Sequence, residues 1–233
     1  MNWSVHHKTE TVSTNLDARA GIHGDVYTAD FQTAGRGRLD HKWQSPPGTN
    51  LMMSVVLSVD GLSPEALSTL PLVIGLSVVK AIRKWGLSPL LKWPNDVLVG
   101  GRKVSGILCE RHGDSVIAGI GVNVKQRVFP PEIAKKATSL AELMGAVPIS
   151  VEGVRDAVLG EIGVLYEIWR EKGLKAVYPE IQTVDCLRGQ TLAVKQTDDD
   201  AEPVRGVCGG IALDGSLLVG SVPIYAGEAH VMT

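Results

Sequence analysis

A cationic segment with alternating glycines is the part of the sequence most suited to chemistry. It runs from Gly35 to Trp43 and reads Gly-Arg-Gly-Arg-Leu-Asp-His-Lys-Trp. Arg36, Arg38 and Lys42 bring three positive charges, against the single carboxylate of Asp40. Arginine offers a planar fork of donors to phosphate or carboxylate oxygens, and glycine allows close backbone approach and positive φ. The segment predicts a loop that wraps around an anion; a solvated basic turn is the alternative interpretation.

Two common phosphate-binding patterns do not fit this segment. The dinucleotide fingerprint needs a third glycine and a following apolar helix, but Asp40 stands at the third position. A Walker A loop needs Gly-Lys followed by Ser or Thr, which occurs nowhere in the chain. The anion-binding hypothesis therefore depends on the segment itself and on its neighbours in the fold.

Composition indicates a globular protein with a local, rather than a global, attraction for anions. The chain has 233 residues, of which 44% are hydrophobic and 21% are charged, so a packed core is expected. The net charge of −2 gives no overall pull towards nucleic acid or an anionic membrane. We therefore predict neither as a partner.

Cysteine and histidine usage points to a reducing compartment and against a structural metal. The three cysteines, Cys109, Cys186 and Cys208, are odd in number and far apart, so we expect a cytoplasmic protein without disulfides. We also expect no signal peptide and no apolar run of membrane-spanning length. The histidines form no pattern with metal-ligand spacing, so a zinc site is not predicted.

Apolar runs and breakers predict the elements that surround the cationic segment. Strands are expected at residues 3–9, 26–31 and 51–57, the last one buried on both faces. Ser13 or Thr14 is a suitable cap for a short helix, and helix capping is the simplest interpretation of Ser13-Thr14-Asn15 taken alone. A further helix is expected from Ser63 to Trp85, with Pro71 marking a break or a restart.

A second group of polar residues stands at strand ends among apolar neighbours. The run Lys92-Trp93-Pro94-Asn95-Asp96 closes one predicted strand, and Lys103 follows the Gly100-Gly101 hairpin signal. Another strand is expected from Ser115 to Val124. Exposed turn lysines and ordinary turn-forming residues are the alternative interpretation of each residue taken individually.

The spacing of apolar residues and the frequency of glycine change near Cys186. Before it, Ser150–Trp169 has apolar residues at helical spacing. After it, short apolar runs alternate with glycines, and Asp214-Gly215 is a strong hairpin signal. We predict a small C-terminal β domain, with residues 198–200 as a solvated acidic turn rather than a metal site.

Taken together, the motifs resemble those of the biotin protein ligases. Their order and spacing make the match specific, although each is weak alone, and they cover the chain from about Thr11 to Asn123. The motifs are Ser13-Thr14-Asn15, Gln32-x-x-Gly35-Arg36-Gly37-Arg38, Lys42-Trp43, Lys92-Trp93-Pro94-Asn95-Asp96, Lys103-x-x-Gly106 and Gly119-Ile120-Gly121-Val122-Asn123.

The resemblance implies an α+β fold and a two-step ligase reaction. Residues 1–183 would form a mixed-sheet catalytic domain like that of class II aminoacyl-tRNA synthetases, and residues 184–233 an SH3-like β-barrel. Biotin and ATP, with Mg²⁺, would give biotinyl-5′-AMP and pyrophosphate. Biotin would then pass to one lysine of a biotin carboxyl carrier protein, from acetyl-CoA carboxylase or a related carboxylase. A monomer and a homodimer both stay open.

The resemblance also assigns roles to individual residues. Lys103, Arg36 and Arg38 are the expected catalytic residues, with Lys103 at the biotin carboxylate and the α-phosphate. Those expected to bind biotin are Ser13, Thr14, Asn15, Gln32, Gly35, Arg36, Gly37, Arg38 and Lys103. Those expected to bind the nucleotide are Trp43, Lys92, Asn95, Asp96 and Asn123. No metal ligand is assigned with certainty, and Asp96 is expected to help either with magnesium or with orienting the loop.

The sequence departs from the family pattern at Asp40-His41, where the family commonly has Gly-Arg. Asp40 would weaken phosphate affinity or pair with Arg38, and because histidine can be neutral or charged near pH 7, the contribution of His41 to the charge of the segment stays open. Members with an N-terminal winged-helix domain act as repressors; this chain starts at the catalytic domain, so that role is not expected. A lipoate or octanoate ligase or transferase, and a non-catalytic biotin sensor or nucleic-acid-binding module, are the competing hypotheses.

Overall fold

The computed structural model describes residues 1–39, 41–196 and 202–232, and it contains two β-sheets. Asp40 and the acidic turn at 198–200 lie outside the described residues. The larger sheet has seven strands: β1 (Ser4–Thr11), β2 (Asp25–Gln32), β3 (Leu51–Ser58), β4 (Pro89–Lys92), β5 (Asp96–Val99), β6 (Arg102–His112) and β7 (Ser115–Val122). Their spatial order is β1-β2-β3-β7-β6-β5-β4. Only the β1–β2 pair is parallel, so the sheet is mixed, as predicted.

Helices cover mainly one face of this sheet. They are α1 (Thr14–Asp17), α2 (Pro64–Ser68), α3 (Leu70–Arg83), α4 (Leu140–Met144), α5 (Val151–Lys172) and α6 (Tyr178–Val184), with 3₁₀ turns at Ala18–Ala20 and Leu174–Ala176. The two long helices, α3 and α5, pack on each other and on the sheet. Ser150 caps α5 by accepting the Gly153 N–H at 2.9 Å, and Gly173 ends it with φ +70°.

The predicted helix from Ser63 to Trp85 is two helices. Ser63 accepts the Ala66 N–H at 3.3 Å and starts α2, and the chain restarts as α3 with Pro71 in its first turn, which confirms the predicted restart. By length and composition, Pro64–Arg83 could cross a membrane, contrary to our expectation, with a mean hydropathy of 1.6. However, 67% of the most apolar stretch of this segment is buried, because α3 packs inside the protein as a core helix.

The smaller sheet holds the C-terminal part of the chain. It consists of β8 (Thr191–Lys195), β9 (Val204–Ile211), β10 (Leu217–Val219), β11 (Val222–Ile224) and β12 (Glu228–Val231), in the antiparallel order β11-β10-β9-β8-β12. The predicted hairpin turn is present, with Gly215 at φ +84° between β9 and β10. The sheet agrees with the small β unit that was predicted; its SH3-like barrel form and the boundary between residues 183 and 184 stay predictions.

The two sheets share one apolar core. Buried residues of the small sheet, such as Leu192 and Ile211, belong to the same cluster as Leu91 of β4 and Ile82 of α3. Polar contacts reinforce this junction: the Tyr178 hydroxyl donates to the Ile211 carbonyl oxygen at 2.9 Å. The C-terminal sheet therefore packs against β4, the strand whose end carries the polar run Lys92-Trp93-Pro94-Asn95-Asp96.

Candidate active site

The candidate site lies on the face of the large sheet opposite α3 and α5, and glycines form its floor. Register places Gly121 of β7 beside Gly106 of β6, while Gly119 pairs with Leu108. A Cβ at Gly119 would collide with the Asn15 side chain, and a Cβ at Gly121 would collide with the Trp43 ring. The Gly119-Ile120-Gly121 motif therefore lets two side chains from other elements lie directly on the sheet.

A network of uncharged polar groups lies at one end of this floor. Thr14 donates to Gln32 Oε1 from its backbone N–H at 2.8 Å and from its hydroxyl at 3.1 Å. Ser54 Oγ lies 2.7 Å from Thr14 Oγ1 and donates to Asn15 Oδ1 at 2.6 Å. Ser13, Thr14, Asn15 and Ser54 are all buried. Such a network suits a neutral ligand that carries both donors and acceptors.

The helix-capping interpretation of Ser13-Thr14-Asn15 is wrong. Ser13 occupies the N-cap position of α1, but its side chain makes no capping hydrogen bond. The side chains of Thr14 and Asn15 instead join β2 and β3 through the network. Because α1 is only four residues long, its role is to deliver these side chains to the sheet rather than to form an extended helix.

The cationic segment is a small hairpin rather than an open coil. Arg36 and Lys42 form an antiparallel bridge, and the Trp43 N–H donates to the Gly35 carbonyl oxygen at 3.0 Å. Neither glycine of the segment has a positive φ, which is found at Leu39 (φ 49°) instead. Close approach is what requires Gly35, since a Cβ there would lie 2.5 Å from the Trp43 carbonyl oxygen.

The hairpin separates two cavities. The cavity over the glycine floor has a volume of about 280 Å³ and is lined by Thr14, Asn15 and Gln32 of the polar network, by the cations and by residues 227–230 at the start of β12. The other cavity, of about 890 Å³, is lined by Gly35 and by apolar residues such as Phe129 and Pro130. Arg36 and Trp43 contribute to both, so the hairpin forms the wall between them.

Cations gather at the end of the first cavity opposite the neutral network. Lys103 Nζ lies 2.6 Å from Asp96 Oδ1 and 6.0 Å from the centre of the Trp43 ring. The contact with Asp96 is a close ion pair without hydrogen-bond geometry, because Oδ1 accepts no hydrogen bond from any described residue. Lys92 also lines this end, and no described residue forms an ion pair with it.

Arg38 is the loop cation that turns towards this cluster. Its guanidinium donates to Asn95 Oδ1 at 3.4 Å. Burial lowers the pKa of Arg38, and the nearby carboxylates of Asp96 and Glu228 oppose this shift. A partly desolvated guanidinium is a strong site for an anion, because little of its hydration has to be lost on binding.

Two of the predicted nucleotide-binding residues have other contacts. Asn95 donates to the Ile107 carbonyl oxygen at 2.7 Å and still lines the cavity. Asn123 does not line the cavity over the glycine floor: its amide donates to the Thr138 carbonyl oxygen at 3.0 Å and accepts from Asn50 at 3.4 Å. Asn123 therefore fixes the segment after β7, and its role at a nucleotide stays a prediction.

Sequence reasoning missed three residues of the site. Ser54 is the only polar residue among Leu51–Leu57, and that was a usable signal. Glu110 accepts from Asn15 Nδ2 at 2.6 Å and from Arg36 Nη2 at 2.9 Å, but an isolated glutamate on a strand gives no signal. Glu228 lies on β12, a strand that was not predicted, with Oε1 3.5 Å from His41 Nδ1 of the hairpin.

One buried donor in the site has no partner. Trp43 Nε1 is buried and forms no hydrogen bond with any described residue. Buried indole N–H groups normally have an acceptor, so this group is available to a ligand in the cavity. It supports the prediction that Trp43 contacts a bound molecule.

Comparisons with known proteins agree with this geometry. Residues 5–126 match the model of the biotin/lipoate A/B protein ligase family. The chain is 40% identical over 145 residues to the bifunctional ligase/repressor BirA of Bacillus subtilis, covering 59% of this chain and 44% of that protein. It is 40% identical over 149 residues to a biotin–[acetyl-CoA-carboxylase] ligase of Mycobacterium tuberculosis, covering 60% and 55%. The chain thus spans about half the length of these curated relatives.

A solved structure matches over nearly the whole chain. The biotin protein ligase from Aquifex aeolicus in complex with biotin and ATP is 32% identical, with a TM-score of 0.86, and the match covers 98% of both chains. The family model and this structural match agree with the resemblance found in the motifs. The chain belongs to the biotin/lipoate A/B protein ligase family.

Proposed function

We propose that this protein is an ATP-dependent ligase that makes biotinyl-5′-AMP and transfers biotin to a lysine of a biotin carboxyl carrier protein. The observation that carries the proposal is the division of one cavity into a neutral end and a cationic end. Thr14, Asn15 and Gln32 suit the uncharged ureido ring of biotin, and Arg38 and Lys103 suit its carboxylate and a phosphate. The Aquifex relative, whose structure holds biotin and ATP, supports the same assignment.

The first step requires charge neutralisation rather than proton transfer. Biotin's carboxylate is ionised at neutral pH and attacks the α-phosphorus of ATP, which forms the C–O–P bond of the adenylate and releases pyrophosphate. Two anions must meet, so cations aimed at the reacting oxygens lower the barrier. Lys103 and Arg38 are suitably placed, provided that Lys103 exchanges Asp96 for the substrate oxygens. Positioning of both substrates in one cavity supplies the remaining part of the rate acceleration.

The second step needs a neutral amine on the carrier lysine. The amine attacks the acyl carbon of the adenylate, an amide bond forms, and AMP leaves. No residue of this chain is assigned as the acceptor of the amine proton. Because the mixed anhydride is hydrolysed by water, the hairpin wall has the further task of excluding solvent until the carrier arrives.

Magnesium fits the site as an ion held mainly by the nucleotide. The described residues contain no cluster of three or more metal-ligating side chains. Mg²⁺ with ATP usually needs only one or two protein carboxylates, together with phosphates and water. Asp96, whose Oδ1 has no hydrogen bond and only the Lys103 ion pair, is the residue that would hold it. When bound, Mg²⁺ supplies positive charge at the phosphates.

The remaining parts of the proposal concern the cellular setting. The partner is the carrier domain of acetyl-CoA carboxylase or a related carboxylase, as the name of the Mycobacterium relative suggests. The protein acts in the cytoplasm without a nucleic-acid or membrane partner, which is consistent with its net charge of −2. Residues 1–183 form the catalytic domain and residues 184–233 the C-terminal domain, and both a monomer and a homodimer stay open.

Pyrophosphate exchange into ATP tests the proposed function. Because adenylate formation is reversible and needs no carrier, labelled pyrophosphate should enter ATP when biotin is present and carrier protein is absent. Lipoate and octanoate in place of biotin test the competing activity within the family. Exchange with lipoate but not with biotin would overturn the substrate assignment, and no exchange with any acid would overturn the ligase assignment.

A further inference from the structure

Glu110 joins two parts of the site that are far apart in sequence. It lies on β6, where its Oε2 accepts from Asn15 Nδ2 at 2.6 Å and its Oε1 accepts from Arg36 Nη2 at 2.9 Å. Asn15 belongs to the buried neutral network, and Arg36 begins the cationic hairpin. One carboxylate thus contacts the network with one oxygen and the hairpin with the other.

We propose that Glu110 is a positioning residue that orients the Asn15 amide and fastens the hairpin to the sheet. This inference rests on the proposed function only for its effect on biotin; the fastening of the hairpin does not depend on the substrate. Arg36, which the sequence marks as a cation for the substrate, is held by a protein carboxylate in this structure. Arg38 then remains as the hairpin arginine that faces the cationic end of the cavity.

The orientation of the Asn15 amide follows from the groups on its two sides. Glu110, when ionised, can only accept a hydrogen bond, so the NH₂ group of Asn15 must face it. Ser54 donates to the Asn15 carbonyl oxygen from the other side. This arrangement leaves one N–H and one lone pair of Asn15 for a ligand that has both an acceptor and a donor. A glutamine at position 110 could donate as well as accept, so it would no longer specify this orientation.

The Glu110–Arg36 pair has the strength expected of a reversible fastening. The side chains are 29% and 48% exposed, respectively, and pairs this accessible are weaker than buried ones. Breaking the pair should therefore release the hairpin without unfolding the sheet beneath it. Because Asn15 shares the carboxylate, the same change should also disturb the neutral network.

Trypsin provides a test that needs no substrate. The hairpin contains three cleavage sites, after Arg36, Arg38 and Lys42, and Glu110→Gln keeps all of them. We expect cleavage within the hairpin, mapped by mass spectrometry, to be about tenfold faster in Glu110→Gln than in the wild type. Glu161→Gln is the matched control, because it removes an ion pair with Lys84 (2.8 Å) on the opposite face of the sheet. It should leave hairpin cleavage unchanged.

A double-mutant cycle distinguishes a shared fastening from two separate effects. Arg36→Gln breaks the same pair from the other side and leaves the cleavage sites after Arg38 and Lys42. Followed at those two sites, Arg36→Gln, Glu110→Gln and the double variant should all be accelerated about equally. Additive acceleration, or wild-type cleavage in both single variants, would overturn the proposal. If Glu110→Gln does not fold, as shown by the lack of a cooperative thermal transition, the cleavage rate of Arg36→Gln alone tests whether the pair fastens the hairpin.

The effect on Asn15 is measured through biotin. In pyrophosphate exchange, Glu110→Gln should raise the KM for biotin about tenfold, because the Asn15 amide loses its fixed orientation, and a fall in kcat would report the released hairpin that carries Arg38. An unchanged KM for biotin would overturn the orienting role. If the wild type shows no biotin-dependent exchange, the proposed function fails, but the trypsin results still decide whether Glu110 fastens the hairpin.

Discussion

The indole N–H of Trp93 donates to the carbonyl oxygen of Gly215 at a distance of 3.0 Å. Trp93 is buried in the segment that follows β4, between Lys92 and Asn95 of the cavity. Gly215 lies in the turn between β9 and β10, so close to Thr69, the residue before α3, that an added Cβ would lie 3.0 Å from the Thr69 methyl carbon. This bond connects the segment that supplies the cationic end of the site to the C-terminal sheet, so the small sheet supports the site as well as lining it.

Replacing Trp93 by Phe should therefore affect both stability and nucleotide binding. The variant keeps a ring but loses the hydrogen bond, and we expect a loss of about 1 kcal/mol in the free energy of unfolding. The KM for ATP should rise, since Lys92 and Asn95 lose their support. Trp3→Phe is the control, because it removes a bond of similar kind, to the Leu159 carbonyl oxygen at 3.2 Å, away from the cavity. Equal KM values for ATP in both variants would refute this role of the small sheet.

The glycine floor predicts a specific loss of biotin binding in Gly119→Ala. The added Cβ would overlap the Asn15 side chain, and overpacking of this kind typically costs about 1–3 kcal/mol. We expect weakened biotin binding in calorimetry. Gly160→Ala is the matched control, because nothing lies within 4 Å of a Cβ at this position in α5, and alanine favours helix by up to about 1 kcal/mol. Normal biotin affinity in Gly119→Ala would show that the floor does not position Asn15 for the ligand.

Lys103→Ala should block adenylation while the fold survives. Donors aimed at developing charge typically contribute about 2.7–4 kcal/mol, so kcat for pyrophosphate exchange should fall by about 10²–10³. The side chain is 37% exposed, which keeps the loss of packing small. Lys8→Ala removes another Lys–Asp pair, with Asp17 at 2.9 Å, on the edge strand β1, and should retain full exchange. Near-normal exchange in Lys103→Ala would mean that Lys103 forms an ion pair with Asp96 but takes no part in adenylation.

Arg38→Gly should make the enzyme release its intermediate. The change removes the guanidinium at the cationic end and loosens the hairpin that forms the wall of the cavity. Escaped biotinyl-5′-AMP would then label lysines of unrelated proteins. The measurement is biotin labelling of albumin, detected by blotting after incubation with biotin and ATP. Arg83→Gly, at the exposed end of α3 on the opposite face of the sheet, should label albumin no more than the wild type. Equally low labelling by all three proteins, with normal biotinylation of the carrier, would disprove retention by Arg38.

Much of the fold and part of the site could be predicted from the sequence. The buried strand at Leu51–Ser58 and the restart at Pro71 follow from local patterns, because apolar runs and proline act on their immediate neighbours. Arg38 and Lys103 were also recognisable, because Arg38 stands in the segment of alternating glycines and arginines and Lys103 follows the Gly100-Gly101 hairpin signal. Glu110 and Glu228 were not, because their importance depends on the register of β6 and on the position of β12, and both are set by tertiary packing.

The shared core of the two sheets determines how the protein loses its structure. Because the buried residues of the C-terminal sheet belong to the same cluster as those of α3 and β4, detaching that sheet would expose apolar surface on both sides of the junction. Separately folding units show two melting transitions, whereas units joined by one continuous core melt together. We therefore expect the candidate site and the C-terminal sheet to melt in one transition, in which heat that unfolds the small sheet also removes the wall, the floor and the cations of the site.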